Sequence, residues 1–233
     1  MEKKNSMIKD AVILCIITLV LGAVLAGVYT LTKEPIDKAQ QQTNNKACEA
    51  VVASGDSVKN TVATGEAVTY LSTHTLSYKE VKKGEAAEDL LSEYVDIREI
   101  HPTKNGGYVY LADALKGYGG KISFALGIDN QGLTTGIAIT SQSETAGLGA
   151  KCAEEEFQKQ FKDMYIADVN SELYSKEAPE IQTETIDGQK RELKTSVQAI
   201  TGATVTSRAI TRAVKAIFYY DNELRQKEAG ANE

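Results

Sequence analysis

Residues 122–140 read Ile-Ser-Phe-Ala-Leu-Gly-Ile-Asp-Asn-Gln-Gly-Leu-Thr-Thr-Gly-Ile-Ala-Ile-Thr, and the fold turns on how this stretch is parsed. Two β-rich runs, 122–128 and 133–140, flank Asp129-Asn130-Gln131-Gly132. Asp, Asn and Gly tolerate the backbone conformations that a tight reversal needs, so the tetrapeptide is a hairpin signal. A third run, Tyr108-Val109-Tyr110-Leu111, precedes the pair. The three together predict an antiparallel meander.

Working towards the C-terminus, residues 154–165 place Phe157, Phe161 and Met164 at helical spacing. A second hairpin is expected over 181–197, turning at Asp187-Gly188. The chain then shows a helix over about 205–224, whose apolar stripe runs through Ala209/Ile210, Ala213/Val214 and Ile217/Phe218. The tail 226–233 is expected to fray. Strands followed by segregated helices make the fold class α+β. Between residues 56 and 105 the patterning is weak, with one helix expected over 86–94, a break at Pro102 and no evident chemistry.

Residues 11–32, AVILCIITLVLGAVLAGVYTLT, carry no charge. The run meets the ~20 residues that a helix needs to cross ~30 Å of hydrocarbon. It exceeds the ~7–15 residues of a signal-peptide core, and no small-x-small cleavage site follows it, so a retained transmembrane helix is expected. Lys3, Lys4 and Lys9 precede the run and Lys33, Lys38 and Lys46 follow it, a near balance of flanking charge. The short tail 1–10 is the natural cytoplasmic end of a signal-anchor, which puts the remainder on the extracytoplasmic side. After Pro35 a polar, Gln/Asn-rich stretch reads as a helical stalk within 33–55, ended by Ser54-Gly55. The globular domain then occupies 56–225.

Composition narrows the function. With 233 residues and a net charge of −6, the chain has room for one anchor and one domain, or two small domains at most, and has no basic face for nucleic acid. His74 and His101 are the only histidines, and Cys15, Cys48 and Cys152 form no C-x-x-C pair. Zinc, iron–sulfur and Ser-His-Asp chemistry therefore lack their ligands and bases. Redox chemistry, if present, must come from an organic cofactor. Cys48 and Cys152 are open to two readings, a bridge or two free thiols.

The most informative segment is Ala199-Ile200-Thr201-Gly202-Ala203-Thr204-Val205-Thr206-Ser207-Arg208, where small residues lead into a helix. A helix N-terminus offers unpaired N–H groups and partial positive charge, both suited to a phosphate. Thr204, Thr206, Ser207 and Arg208 could add hydrogen bonds. Plain N-capping would use the same residue types. A second segment, Ser143-Glu144-Thr145-Ala146-Gly147-Leu148-Gly149, reads by itself as a glycine-rich turn after a strand.

Thr201-Gly202-Ala203-Thr204 resembles the Ser/Thr-Gly-Ala-Thr signature of a family of FMN-binding domains. These occur in the G subunit of the Rnf complex and the C subunit of the sodium-pumping NADH:quinone reductase. Residues 143–149 resemble the Glu-Thr-Pro-Gly-Leu-Gly loop of the same families, with Ala146 in the proline position. Gly117-Tyr118-Gly119-Gly120-Lys121 is similar to the turn before the family's central hairpin, and leaves Tyr118 either lining a flavin or packing. The families usually place an aspartate six residues before the modified threonine, where this chain has Gln198. The 233-residue length suits the Rnf G subunit better than its longer quinone-reductase counterpart.

The resemblance implies an FMN joined by a phosphoester to Thr204, with Thr201, Gly202, Ala203, Thr206 and Ser207 around the attachment. It places Glu144, Thr145, Gly147 and Leu148 at the flavin, with Glu144 and Thr145 hydrogen-bonding its polar edge. No catalytic residue and no metal is implied, because the flavin would carry the chemistry. The implied role is an electron-transfer subunit of an ion-translocating ferredoxin:NAD+ oxidoreductase, in a single-pass membrane protein. Its implied partners are other membrane subunits and, during maturation, a flavin transferase. Alternatives are a C-type quinone-reductase subunit, an anchored sensory or regulatory FMN module, or a non-redox anchored domain with Thr204 as a cap.

Overall fold

The computed structural model describes residues 2–59, 93–165, 173–175, 181–186 and 189–231. The chain divides into two units, Met1–Thr43 and Asn44–Glu233. The architecture is α+β: one long N-terminal helix, then an antiparallel four-stranded sheet with helices and two small two-stranded sheets.

Helix α1 is Glu2–Val51. Its residues 11–32 are all exposed, and by length and composition the helix can cross a membrane. The helix runs through Pro35 without interruption, at the loss of one i→i−4 bond. Anchor and stalk are thus one helix. It stops before Gly55, whose φ of 85° suits a residue without a Cβ.

The main sheet contains β1 (Val95–Pro102), β2 (Tyr108–Ala114), β3 (Ile122–Ile128) and β4 (Thr134–Ser141) in sequential order, all antiparallel. Three of these strands match the meander read from the sequence. Asp129 builds the turn between β3 and β4: its carboxylate accepts from the N–H groups of Gln131 (2.8 Å) and Leu133 (3.0 Å), and Gly132 takes φ 78°. Strand β1 lies where only a weak pattern and a Pro102 break were expected. It has a bulge between Ile97 and Glu99, and Pro102 is its last paired residue, opposite Tyr108. The helix expected over 86–94 lies largely outside the described residues.

Every residue of β2 and β3 is buried, because the sheet is covered on both faces. On one face Tyr110, Ala112, Phe124 and Leu126 join a core with Ile210, Val214, Ile217 and Phe218. These last four belong to the C-terminal helix, α3 (Thr204–Ala231). On the other face Val109, Leu111 and Ala125 pack with Ala47, Cys48 and Val51 from the end of α1. Gly127 permits this approach, since a Cβ there would collide with the Val51 carbonyl. The Thr135 hydroxyl donates to that carbonyl.

Two sequence expectations towards the C-terminus need correction first. The helix expected over 154–165 is only α2 (Glu155–Gln158) followed by a 3-10 turn, Lys159–Phe161. Asp163 then adopts φ 59°, and Met164 exchanges backbone and side-chain bonds with Thr134, so the sheet edge captures the chain before another helical turn forms. Phe157, Phe161 and Met164 are nonetheless all buried. Residues 226–231, expected as a frayed tail, continue α3.

The second hairpin, β6 (Ile181–Ile186) with β7 (Gln189–Lys194), pairs Ile186 with Gln189; Asp187 and Gly188 lie outside the described residues. It stops at Lys194, because Val197 pairs instead with Tyr174, joining β5 (Tyr174–Ser175) and β8 (Val197–Gln198) in parallel. All three cysteines are free thiols, and Cys48 and Cys152 are buried in different clusters.

Candidate flavin site

Thr204 is the first residue of α3. The preceding turn is closed by the Ala203 N–H donating to the Ile200 carbonyl (2.9 Å), with Gly202 at φ 77°. The Ser207 N–H donates to the Ala203 carbonyl at 3.1 Å, so the N–H groups of Thr204, Val205 and Thr206 lack the i−4 carbonyl that later turns supply. Ala203 stands at the cap position, so no side-chain oxygen caps the helix there.

The hydroxyls of the first turn divide sharply. Ser207 is fully buried; its Oγ accepts from the Ile200 N–H (2.9 Å) and donates to the Ala203 carbonyl (3.1 Å). Thr206 is 1% exposed and donates to Glu144 Oε2. Thr204 is partly exposed, and its hydroxyl makes no hydrogen bond among the described residues. Thr201 and Gly202 are exposed beside it, while Ala203 is buried.

The loop 143–149 meets this turn. Gly202 lies against Leu148, with 3.2 Å between Leu148 Cδ2 and the place a Cβ on Gly202 would occupy. Gly149 is tighter still: a Cβ there would stand 2.5 Å from Thr206 Oγ1 and 2.7 Å from Glu144 Oε2. Thr145, Gly147 and Leu148 are exposed. Glu144 is buried, and its carboxylate is occupied by protein donors. Oε1 accepts from the Gly119 N–H at 2.8 Å, and Oε2 from the Tyr118 N–H at 3.3 Å as well as from Thr206.

All ten expected site residues therefore lie on two segments that the fold brings together. The Tyr118 and Gly119 amides complete the arrangement, and sequence reasoning did not assign them. Their signal was the glycine run 117–120, needed because a Cβ on Gly119 would strike the Ser143 carbonyl. Tyr118 is 74% exposed, so its ring is not packed into the core of this domain. Gln198 is exposed, and its backbone N–H donates to Gln160 Oε1 at 2.8 Å. Beneath the loop, burial and then the nearby Glu144 push the Cys152 thiol up to about 11, so it stays protonated at neutral pH.

These features fit a flavin phosphate and ring. Unpaired N–H groups and a free hydroxyl suit the phosphate, and the turn at Gly202 carries no side chain to block approach. Tyr118, Leu148 and Val205 are exposed apolar side chains of the kind an aromatic ring covers.

The family model described as an FMN-binding domain matches residues 117–218, from the glycine turn through most of α3. The model of the RnfG N-terminal region matches residues 1–51, the extent of α1. The chain is 30% identical over 219 residues to the G subunit of the Na(+)-translocating ferredoxin:NAD(+) oxidoreductase complex of Acetobacterium woodii, covering 92% of this chain and 91% of that one. It is 29% identical to the G subunit of the proton-translocating ferredoxin:NAD(+) oxidoreductase complex of Clostridium ljungdahlii, covering 89% and 85%. The C subunit of the Na(+)-translocating NADH-quinone reductase from Parabacteroides distasonis is also similar in structure, at 18% identity, TM-score 0.38 and coverage of 52% and 61%. With a membrane-length helix, an FMN-binding domain and the two ferredoxin:NAD(+) oxidoreductase relatives, the chain is membrane-associated and belongs to the G-subunit family of ion-translocating ferredoxin:NAD+ oxidoreductase (Rnf) complexes.

Proposed function

We propose that this chain is the FMN-carrying electron relay of an Rnf-type complex, with the flavin joined by a phosphoester to Thr204. The observation that carries the assignment is the division of hydroxyls in the first turn of α3: Thr206 and Ser207 are buried and bonded, and Thr204 is partly exposed and unengaged. Bound FMN would supply one- and two-electron chemistry at this position. The chain's residues hold and orient it. The N–H groups of Thr204, Val205 and Thr206 favour the phosphate negative charge through the helix dipole. Gly202 and Ala203 keep the approach clear, and Thr201 and Ser207 complete the turn. Leu148, with Gly147 and Thr145 beside it, borders the place for the ring, and Glu144 closes the loop behind them. A single helix and a single flavin cannot move ions alone, so the partners are other membrane subunits. A flavin transferase would make the bond, acting at a surface where Gln198 stands exposed.

Co-expression with a flavin transferase, followed by mass spectrometry and in-gel flavin fluorescence of the denatured chain, tests the attachment. One FMN per chain is expected. Thr204→Ala should abolish it, while Thr201→Ala keeps it. Covalent flavin persisting in Thr204→Ala would move the assignment to another hydroxyl.

We also infer a single-pass topology with the domain on the extracytoplasmic side, supported by the basic residues Lys3, Lys4 and Lys9 that precede the apolar run. Lys104 is exposed and offers a reporter position. A cysteine there should react with a membrane-impermeant maleimide in intact cells; reaction only after lysis would invert the topology.

A further inference from the structure

The buried carboxylate of Glu144 joins three segments that are distant in sequence. It receives the Gly119 and Tyr118 N–H groups from the turn between β2 and β3, belongs itself to loop 143–149, and receives the Thr206 hydroxyl from α3. Gly117, Gly119 and Gly149 surround it, and a Cβ at any of the three would collide with Glu144, its neighbour Ser143 or Thr206. The arrangement is built around this one side chain and leaves its oxygens facing protein donors. Thr204 and Thr206 are two residues apart on a helix, so they point ~200° away from each other around its axis. Fixing Thr206 inward fixes Thr204 outward.

Resting on the attachment reading above, we propose that Glu144 is a positioning residue. Through Thr206 it sets the rotational phase of the first turn of α3, and with it the direction in which Thr204 presents its hydroxyl. It acts without touching the flavin. The same bond draws loop 143–149 against the turn, which keeps Leu148 on Gly202.

The test uses the full chain with its flavin transferase and compares Glu144→Ala, Glu144→Gln, Thr206→Val and the double variant Glu144→Ala/Thr206→Val. Covalent flavin incorporation should slow ~10–100-fold in Glu144→Ala, the scale at which misplacement of a reacting group acts. Thr206→Val should slow it comparably, and the double variant should be no slower than the worse single one, since both remove one interaction. Glu144→Gln should keep most of the incorporation, because its amide oxygen still accepts the Gly119 N–H and the Thr206 hydroxyl can reverse to accept from the amide N–H, with only the longer Tyr118 bond (3.3 Å) lost. In the apoprotein, hydrogen exchange over residues 203–208 should rise in Glu144→Ala and Thr206→Val more than in the rest of α3.

Wild-type incorporation and exchange in both single variants would overturn the proposal. So would effects that add in the double variant, or a Glu144→Ala protein that takes up flavin normally but shifts its reduction potential, which would make Glu144 a flavin contact. If Glu144→Ala does not fold, Thr206→Val decides by the same readouts. A wild-type chain that takes up no covalent flavin refutes the attachment reading itself, and the positioning role falls with it. Incorporation by the wild type with unchanged variants refutes the positioning role alone.

Discussion

Leu148 Cδ2 lies 3.2 Å from the place where a Cβ on Gly202 would stand, so loop 143–149 and the turn before α3 touch two residues from Thr204. A Cβ there would require Leu148 to give by a few tenths of an ångström, and Gly202 also has φ 77°.

Gly202→Ala should therefore cost stability twice, through the ~1–2 kcal/mol of a left-handed residue with a Cβ and through displacement of Leu148. Adding Leu148→Ala should recover the steric share and leave the backbone share. Thermal unfolding of the three variants separates the two contributions. A Gly202→Ala protein as stable as wild type would mean that the turn has relaxed to another conformation.

The far end of α3 is held differently. The Tyr110 hydroxyl donates to Asp221 Oδ1 at 2.7 Å, and Arg225 Nε reaches Asp221 Oδ2 at 2.6 Å. Arg225 continues to the Asp129 carbonyl at 2.8 Å, tying the helix to the β3–β4 turn. Burial, and then the Asp221 charge, push the Tyr110 phenol well above its ordinary range, so it remains a donor. Asp221→Ala strands a buried hydroxyl and a half-buried guanidinium and should destabilise by ~3–5 kcal/mol. Tyr110→Phe leaves Asp221 paired with Arg225 and should cost ~1.5–3 kcal/mol, as for one hydrogen bond to a charged group. Denaturant unfolding gives both values; equal losses would show that Arg225 contributes nothing.

Which features the sequence revealed follows from how local their causes are. The turn at Asp129–Gly132 is made by its own side chains, and the α3 stripe by its own period, so both were legible. Strand β1 was not, because a charge within it answers to a partner on the neighbouring strand: Arg98 faces the buried Asp113 of β2. The spacing of Phe157, Phe161 and Met164 reported burial correctly but not helix, since Thr134 on the sheet edge ends the turn. At the site, the Thr204 turn and the 143–149 loop could be read as motifs. The occupation of Glu144 could not, because its donors are backbone amides brought in by topology.

Asp113, near the site end of β2, should shape the acid limb of stability. Its side chain is 1% exposed, with Lys121 Nζ 2.7 Å from Oδ2 and Arg98 Nε 3.0 Å from Oδ1, the latter outside hydrogen-bonding angles. Burial alone would raise its carboxyl, but hydrogen bonds from Lys121 and Ser123 and the Arg98 charge outweigh burial and hold it below the ordinary 3.8. A carboxyl lower in the folded than in the unfolded chain stabilises above the unfolded value, and that contribution fades as pH falls through the folded one. Wild-type protein should thus lose stability on acidification below about pH 4. Asp113→Asn should be less stable at pH 7, because Arg98 then lacks its buried counter-charge, and should have a flatter acid limb over the same range. Melting temperatures of both proteins between pH 7 and pH 3 provide the check, and parallel acid limbs would assign the loss to other carboxylates.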